Sequence, residues 1–341
     1  MRMPHPYPIR EIARQSGLSE ATVDRVLNER PGVRASTAAS VAQAITDLDR
    51  QRSQLRLVGR TFIIDVVMQT PDRFSSAVKS ALELELPTLL PAVVRSRFHF
   101  RETAKPGELV KTLDDIRRRG SRGVILKAPD EPEISEAIGR MQEAGIPVVT
   151  LVTDLPLSGR VAYVGIDNRA AGATAAYLID QWLSDKSDAI LMALSRSAFR
   201  GEEEREMGFR AAMRERGAGH ALVEATDTDG IDTAVRDRTI SLLREHPGIT
   251  AVYSIGGGNK AILEAFASVN RKCQVFIAHD LDEDNLPLIQ NREITAVLHH
   301  DLRHDMRRAC QVIMQANGAI EGPIESTPSQ INITTPFNVP A

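Results

Sequence analysis

Residues 8–33 read PIREIARQSGLSEATVDRVLNERPGV and contain two short apolar patterns of helical period, separated by one glycine. The apolar positions are Ile9, Ile12 and Ala13 in the first pattern and Val23, Val26 and Leu27 in the second. Gly17 can adopt the left-handed conformation that ends a helix, and the hydroxyl of Ser19 can cap the helix that follows. This spacing predicts a helix-turn-helix.

A third helical pattern follows, and the charge of this end of the chain differs from the rest. Val41, Ile45 and Leu48 recur at helical spacing, with Ser36 or Thr37 placed to cap the helix. Residues 1–60 contain ten arginines, no lysine and six acidic residues, a net charge of +4. Because the whole chain carries −3, the remaining 281 residues carry −7. We therefore expect only the N-terminal end to meet an anionic partner.

The second helix of such a unit can enter the major groove of DNA with its N-terminal residues against base edges. Glu20, Ala21 and Arg25 lie on that leading face, and Arg25 could bind a guanine with two hydrogen bonds. The spacing alone also leaves open a small helical cap or dimerisation bundle whose arginines are merely solvated.

Residues 9–34 resemble the DNA-binding headpiece of the LacI/GalR family of bacterial transcriptional regulators. The agreement covers Ala13, Gly17, Ser19, Thr22, Val23, Arg25, Val26, Leu27 and Asn28. The resemblance implies base contacts from Glu20, Ala21 and Arg25, and phosphate contacts from Ser19, Thr22, Asn28, Arg34 and Thr37. Asp24 replaces the family's usual serine, and we expect it to pair with a local arginine. Residues 49–60 replace the family's hinge helix, and Leu55 is the nearest candidate for its minor-groove wedge.

From residue 61 onward, short apolar runs alternate with helical patterns about every 30 residues, which is typical of βαβ units and parallel sheets. The candidate strands are 61–68, 93–100, 123–128, 147–152, 161–166, 189–194, 221–225, 250–255, 274–278 and 294–298. Helical patterns with apolar stripes lie between them, at 133–144, 168–183, 201–216, 232–245 and 303–316. Ten strands fit two smaller sheets better than one. The prediction is an α/β fold with two doubly wound parallel sheets.

Polar residues follow the predicted strands, and ligands of open α/β sheets bind at that end of the strands. These residues are Asp154, Asp167, Asn168, the SRSAFRG stretch at 195–201, residues 256–259, Asp280 and residues 299–301. A cleft between two sheets would collect them into a polar pocket suited to a polyhydroxylated ligand. Helix capping is the more ordinary role for Asp167, Asn168 and Asp282.

The region from residue 61 to about 336 resembles the periplasmic sugar-binding-protein fold, which forms the effector domain of the same family. The motifs are GIPVVTLVTD at 145–154, VGIDNRAAGATAA at 164–176, REMGF at 205–209 and ITAVLHHDLRHDMRRA at 294–309. The resemblance implies sugar contacts from Asp154, Arg205, Asn259, Asp280 and His300, with Phe74 or Phe199 as an apolar platform. His300 stands where the family more often has glutamine, and GGGN at 256–259 replaces its usual asparagine-aspartate step.

The resemblance also implies domain boundaries. Residues 1–60 would form the headpiece and linker, and residues 61–341 the effector-binding domain. Its first subdomain would contain residues 61–164 and 293–324, and its second residues 165–292 and 325–341. Three crossovers between the subdomains would act as a hinge.

Alternative functions rest on weaker signals. His300 and His304 have the i, i+4 spacing of a zinc pair in a metal-dependent hydrolase, but a third ligand is not evident. The glycine run at 256–258 lacks the remainder of a nucleotide-binding motif, so we expect no cofactor. A sugar-binding protein for uptake, without a regulatory role, would share the fold. The two cysteines and the absence of a signal-like or membrane-length apolar run favour a cytoplasmic chain.

The sequence therefore predicts a regulator without catalytic activity. We expect a homodimer or a tetramer that binds a pseudo-palindromic operator in double-stranded DNA, and a repressor rather than an activator. The effector would be a sugar, a sugar alcohol or a sugar phosphate.

Overall fold

The computed structural model of the chain describes residues 6–183, 188–195, 199–217, 219–226, 228 and 231–340. Its N-terminal helices are α1 (Ile9–Ser16), α2 (Glu20–Leu27) and α3 (Ala35–Leu57). The first helix ends at Gly17, which has a φ of 68°, and the Ser19 hydroxyl accepts a hydrogen bond from the Thr22 amide at 3.2 Å. The predicted helix-turn-helix and both of its turn residues are confirmed.

Helix α3 differs from the prediction at both ends. It begins directly after Arg34, whose side chain makes no cap, so the predicted caps at Ser36 and Thr37 are wrong. It continues without a break to Leu57, so the linker is the last part of a 23-residue helix. Leu57 packs into the core of the next domain, which joins the headpiece to that domain through one helix.

The first sheet is parallel, with the strand order β2-β1-β3-β4-β5. Its strands are β1 (Thr61–Gln69), β2 (Val93–Arg101), β3 (Gly123–Lys127), β4 (Val148–Leu151) and β5 (Ala162–Val164). Helices α4 (Asp72–Glu85), α5 (Pro106–Arg119) and α6 (Pro132–Glu143) connect them. The apolar side chains of α5 and α6 pack on one face of this sheet, and those of α4 pack on the other.

The second sheet has the order β11-β10-β9-β8-β6-β7. Its strands are β6 (Ala189–Ala193), β7 (Ala221–Ala225), β8 (Ile249–Ser254), β9 (Val275–His279), β10 (Ala296–His299) and β11 (Asn332–Thr334), the last being antiparallel. Its helices are α7 (Asn168–Trp182), α8 (Arg200–Glu215), α9 (Asp232–Glu245), α10 (Asn259–Ser268) and α11 (Asn285–Gln290). Each of the ten predicted strands is present within two residues of its predicted ends, and the two-sheet architecture is confirmed.

One predicted boundary is wrong. Residues 293–324 were expected in the first subdomain, but β10 pairs with β9 in the second sheet. The chain crosses between the subdomains after His299, and α12 (Leu302–Ala316) then packs against α4. Arg303 and Arg307 of α12 each donate to the buried carboxylate of Glu85 at 2.7 Å. An apolar strand pattern does not specify which of two sheets the strand will join.

Helices α7 and α8 approach each other closely because glycines lie at their contact. A Cβ atom on Gly172 would lie 1.9 Å from the Arg205 carbonyl oxygen, and one on Gly208 would lie 2.1 Å from the Arg169 carbonyl oxygen. Both obstacles are backbone atoms of a packed helix, which cannot turn aside as a flexible side chain can. These glycines set the position of Arg205 in the fold.

We predict that Gly172→Ala lowers the free energy of unfolding by about 1–3 kcal/mol, because the added methyl group must push α8 away. Gly139→Ala is the matched control: Gly139 is also helical, and its added Cβ would meet nothing within 4 Å. The control should be neutral or stabilising by up to about 1 kcal/mol. Urea unfolding of both variants measures the difference, and equal effects would contradict the close-approach explanation.

Candidate functional site: the headpiece and the cleft between the sheets

The predicted DNA-binding residues lie on the outside of the headpiece. Glu20, Ala21 and Arg25 are exposed on α2. Asp24 forms a salt bridge with Arg30 at 3.1 Å and accepts a hydrogen bond from the Asn28 amide at 2.8 Å. The predicted local pairing of Asp24 is confirmed, and its negative charge is partly neutralised on the surface that would face DNA.

The remaining predicted phosphate-binding residues surround the same helix. Ser19 and Thr22 lie at its N-terminus with their hydroxyl oxygens 2.8 Å apart. Arg34 is exposed immediately before α3, and Thr37 is half-buried in its first turn. Backbone amides at a helix N-terminus and short hydroxyl side chains are common phosphate contacts in protein–DNA complexes.

A cleft of about 720 Å³, including space open to solvent, lies between the two sheets. Its walls are formed by residues that follow the carboxyl ends of strands in both subdomains, as the position of ligands in open α/β sheets predicts. Of the seven predicted effector residues, four line this cleft, namely Phe74, Phe199, Arg205 and Asp280. The other three, Asp154, Asn259 and His300, do not line the cleft.

Arg205 is buried and rigidly held in the cleft wall. Its Nε donates to the Asn168 side-chain oxygen at 2.8 Å, and its Nη1 donates to the Ile255 carbonyl at 3.3 Å. Nη2 has no hydrogen-bond partner among the residues that the structure describes. Asn168 was expected to be a cap, and this is wrong: Asp167 caps α7, whereas the Asn168 amide donates to the Val152 carbonyl at 3.2 Å.

Two cleft residues have backbone conformations that are unusual for their type. Asp280 has a φ of 64° and Val152 a φ of 66°, and this left-handed region is rare for a β-branched residue. The Asn285 amide donates to the carbonyl oxygens of His279 and Asp280 and so holds the loop after β9. Strained backbone of this kind costs about 1–3 kcal/mol and clusters at functional sites.

Lys127 is a cleft residue that the sequence analysis missed. Its Nζ donates to the Gln69 carbonyl at 3.2 Å and lies 4.3 Å from the centre of the Phe199 ring. Burial lowers the pKa of Lys127 to about 8, although the carboxylates of Glu202 and Asp280 oppose that shift. Lys127 is the last residue of the apolar run GVILK, and that position in a buried strand was the available signal.

The sequence analysis also missed three other cleft residues, Gln69, Glu202 and Arg73. The Gln69 side-chain oxygen is buried in the cleft wall and has no partner among the described residues. Glu202, in the first turn of α8, accepts from the Ser195 amide at 2.8 Å and from its hydroxyl. Each of the three lies within a helix or at the end of a strand, where sequence patterns favour an ordinary structural role.

An ion pair spans the cleft between the subdomains. Arg73, at the start of α4 in the first subdomain, lies 3.4 Å from the Asp282 carboxylate in the second. Asp282 also accepts from the Asp284 and Asn285 amides at 3.2 and 2.9 Å, and so stabilises the turn that leads into α11. Burial raises the pKa of Asp282 to about 6, even though the Asn285 amide and Arg73 favour its charged form.

Asp154, Asn259 and His300, the other predicted effector residues, do not line the main cleft. The Asp154 carboxylate accepts from the Thr150 hydroxyl at 2.7 Å and pairs with Arg160, so it stabilises the loop that follows β4. The Asn259 amide donates to the Asn285 oxygen at 2.7 Å and supports the loop that contains Asp280. His300 is buried and contacts a smaller neighbouring cavity. Their loops follow strands as expected, and each side chain makes one or more local contacts, although Asn259 Oδ1 and His300 Nε2 are buried without a hydrogen-bond partner among the described residues.

The histidine pair and the glycine run, which suggested alternative functions, do not form a metal or nucleotide site in the part of the chain that the structure describes. His300 Nδ1 contacts the buried Asp305 carboxylate, whereas His304 is exposed, so the two rings do not face a common ligand. No group of three potential metal ligands occurs among the described residues. Gly258, with a φ of 75°, precedes α10 as its N-cap residue. None of the helices searched within that part is both long and apolar enough to cross a bilayer.

Comparison with known proteins identifies both parts of the chain. A family model described as periplasmic binding protein domain matches residues 66–319, and one described as bacterial regulatory proteins, lacI family, matches residues 8–52. The curated relatives "HTH-type transcriptional regulator reg1" of Streptomyces lividans and "HTH-type transcriptional regulator MalR" of Streptomyces coelicolor are each 30% identical over 174 residues. These alignments cover 47% of this chain and 46% of each relative, so the chain spans about half the length of the curated relatives it matches.

Solved structures agree on the fold. GanP, a glucose-galactose binding protein from Geobacillus stearothermophilus, is similar with a TM-score of 0.71 and 20% sequence identity. The similarity covers 83% of this chain and 100% of that one. At this identity the likeness concerns architecture alone.

The matched regions coincide with the structural units. Residues 8–52 contain α1, α2 and most of α3, and residues 66–319 contain both sheets apart from the first residues of β1 and all of β11. Both curated relatives are named as transcriptional regulators. The chain therefore belongs to the periplasmic binding protein domain family over residues 66–319, and this domain follows a helix-turn-helix headpiece that matches the lacI family of bacterial regulatory proteins.

Proposed function

We propose that this chain is a ligand-responsive transcriptional regulator whose headpiece binds operator DNA and whose cleft binds a small polyhydroxylated molecule. One observation carries the proposal: a single helix joins the two sites. Helix α3 contributes Val41 and Leu48 to the headpiece core and Leu57 to the core of the first subdomain. A change in the cleft can therefore alter how the headpiece is presented.

In this proposal α2 is the recognition helix. Glu20, Ala21 and Arg25 face base edges in the major groove, and Arg25 is the residue with the donor geometry for a guanine. The phosphate-binding residues are Ser19, Thr22, Asn28, Arg34 and Thr37. Two headpieces in a homodimer would bind the two halves of a pseudo-palindromic operator.

The chemistry of the cleft favours a neutral sugar or sugar alcohol. Arg205 and Lys127 offer donors, Asp280 and the Gln69 oxygen offer acceptors, and each wall contributes one aromatic ring, from Phe74 and Phe199. The cleft carries three cationic side chains, Arg73, Lys127 and Arg205, and four carboxylates, Glu102, Glu202, Asp280 and Asp282. Because the carboxylates outnumber the cations, we place a sugar phosphate after a neutral polyol among the candidate ligands.

The proposed mechanism is thermodynamic linkage. A ligand that bonds to Lys127 on one wall and to Arg205 and Asp280 on the other stabilises the closed arrangement of the subdomains. If the closed and open forms present the headpieces differently, ligand and operator change each other's affinity by the same factor. We propose that the chain acts as a repressor in the cytoplasm and that ligand binding weakens its hold on the operator.

Arg25→Ala should relax base preference at one position in each operator half-site, at a cost of about 1–3 kcal/mol for the preferred base. Selection of bound fragments from random-sequence DNA measures the preference. Arg10→Ala is the control, since Arg10 is exposed on α1 rather than on the recognition helix. Unchanged preference in Arg25→Ala would contradict its assignment to a base.

Asp280→Asn should abolish the ligand response while operator binding is retained. Asparagine tolerates the left-handed conformation of this position, so the loop should survive, but the charged acceptor is lost. Losing a hydrogen bond to a charged group should weaken ligand binding by roughly 10–100-fold. Calorimetry with a sugar panel and operator binding with and without ligand give the two readouts.

The control for this variant is Asp237→Asn, which neutralises an exposed carboxylate on α9 that does not line the cleft. It should leave both readouts unchanged. If Asp280→Asn lost operator binding together with the ligand response, misfolding would be the explanation. If it retained the response, Asp280 would not be a ligand residue.

Lys127→Met should raise stability at neutral pH and remove the ligand response. The pKa of Lys127 is about 8 in the folded chain against the ordinary 10.5, so the unfolded chain binds one more proton between these values. Stability of the parent protein should therefore rise with pH across that window, and Lys127→Met should lack this rise. Thermal unfolding from pH 7 to 10.5 tests the prediction, and a parallel pH dependence in the two proteins would refute it.

A further inference from the structure

An arginine cluster lies at the opposite end of the first sheet from the cleft. We define this edge cluster as Arg95, Arg97, Arg119 and Arg122. Register places Arg95 beside Ile63 on one side of β1, and the Arg122 amide donates to the Ile63 carbonyl at 2.7 Å on the other side. The edge cluster therefore extends across three neighbouring strands.

The cationic charge of the edge cluster exceeds what the surrounding carboxylates neutralise. Asp65 is buried beneath it and accepts from Arg97 at 2.9 and 2.6 Å and from Arg119 at 2.6 Å. Burial alone would raise the pKa of Asp65, but hydrogen bonds from His99 and Arg97 hold it well below its usual range. A single ionised carboxylate is thus shared by two arginines.

Arg95 and Arg122 have no ion-pair partner among the residues that the structure describes, and Arg95 is exposed. The position of Arg119 in the last turn of α5 has an ordinary explanation, because cations stabilise helix C-termini. That explanation does not extend to Arg95, which lies on β2, or to Arg122, which precedes β3. Their charge is also contrary to the net of −7 on the 281 residues that follow the headpiece and linker.

The headpiece enters the domain at this same edge. The Val93 amide donates to the Arg60 carbonyl at 2.9 Å, which ties the end of the linker to the start of β2. Leu57 lies nine residues after Leu48, the last residue in the headpiece core, and a helix rises about 1.5 Å per residue. The edge cluster therefore lies at the end of the domain from which the headpiece projects on a short helical connection of about 14 Å.

We propose that the edge cluster is a second DNA-contacting surface, which binds backbone phosphates of the duplex beside the operator without reading bases. The inference rests on the proposed function, because it requires the headpiece to bring DNA to this edge. Arginine suits the role, since its planar guanidinium can donate two parallel hydrogen bonds to a phosphate. DNA also presents about one negative charge per 1.7 Å of axis, so such contacts need no particular sequence.

The test uses Arg95→Gln/Arg122→Gln, which spares the arginines that bind Asp65. The probes are a duplex limited to the selected consensus and the same duplex extended by about 10 base pairs, roughly one helical turn, at each end. The parent protein should bind the extended duplex more tightly and with a steeper salt dependence. In the variant, the slope of log K against log salt should fall by about 0.9 for each lost contact on the extended duplex, with the short duplex unaffected.

Arg238→Gln/Arg244→Gln is the matched control, since it removes two exposed arginines from α9 in the second subdomain with the same change in charge. It should leave the preference for the extended duplex intact. An equal effect of both double variants would indicate a general charge effect and overturn the proposal. So would unchanged binding to the extended duplex accompanied by weaker self-association in sedimentation, which would make the edge cluster an interface between copies.

The two proposals fail in different ways. If the parent protein shows no sequence-selective binding to any duplex, the proposed regulatory function itself is wrong. If it binds the short duplex selectively and gains nothing from the extension, only the role of the edge cluster is wrong. Thermal unfolding of both double variants checks that the fold is retained in either case.

Discussion

The side chain of Asn168 is the point on which the geometry of the cleft depends. Its oxygen accepts from Arg205 of the second subdomain, and its amide donates to Val152 at the end of a strand in the first. Removing either bond would leave a buried polar group unpaired, which costs about 1–3 kcal/mol. The cleft-lining arginine and the chain segment that follows β4 are therefore held by the same side-chain amide, so a movement of one would displace the other.

That arrangement requires the backbones of α7 and α8 to approach within a distance that only glycine permits. Gly172 and Gly208 supply the space, each against a carbonyl oxygen of the facing helix. The cleft thus has a rigid wall built from packed helices and a strained wall in which Val152 and Asp280 adopt left-handed conformations. Rigid support behind a polar site preorganises donors and acceptors for a ligand.

The charges of the molecule are separated along the strands of the first sheet. Cationic and acidic side chains are nearly balanced in the cleft at the carboxyl ends, whereas arginines predominate at the amino ends, where α3 enters. Parallel strands make this separation simple, because all of their carboxyl ends lie at one edge of the sheet. One domain can therefore present a polar ligand site and a cationic surface that do not interfere.

The sequence alone was sufficient for the helix-turn-helix, ten of the eleven strands among the described residues and the two-sheet α/β architecture, since apolar periodicity and turn residues are local properties. It also predicted Phe74, Phe199, Arg205 and Asp280 as cleft residues, and for Phe74 and Arg205 this prediction came from family resemblance alone. Asp154, Asn259 and His300 also follow strands but do not line the main cleft, whereas Lys127 and Gln69 line it and lie at the ends of apolar strands. Two features depend on contacts between residues that are distant in sequence: which polar side chains face the cleft, and which sheet β10 joins. Only the tertiary structure decides these two features.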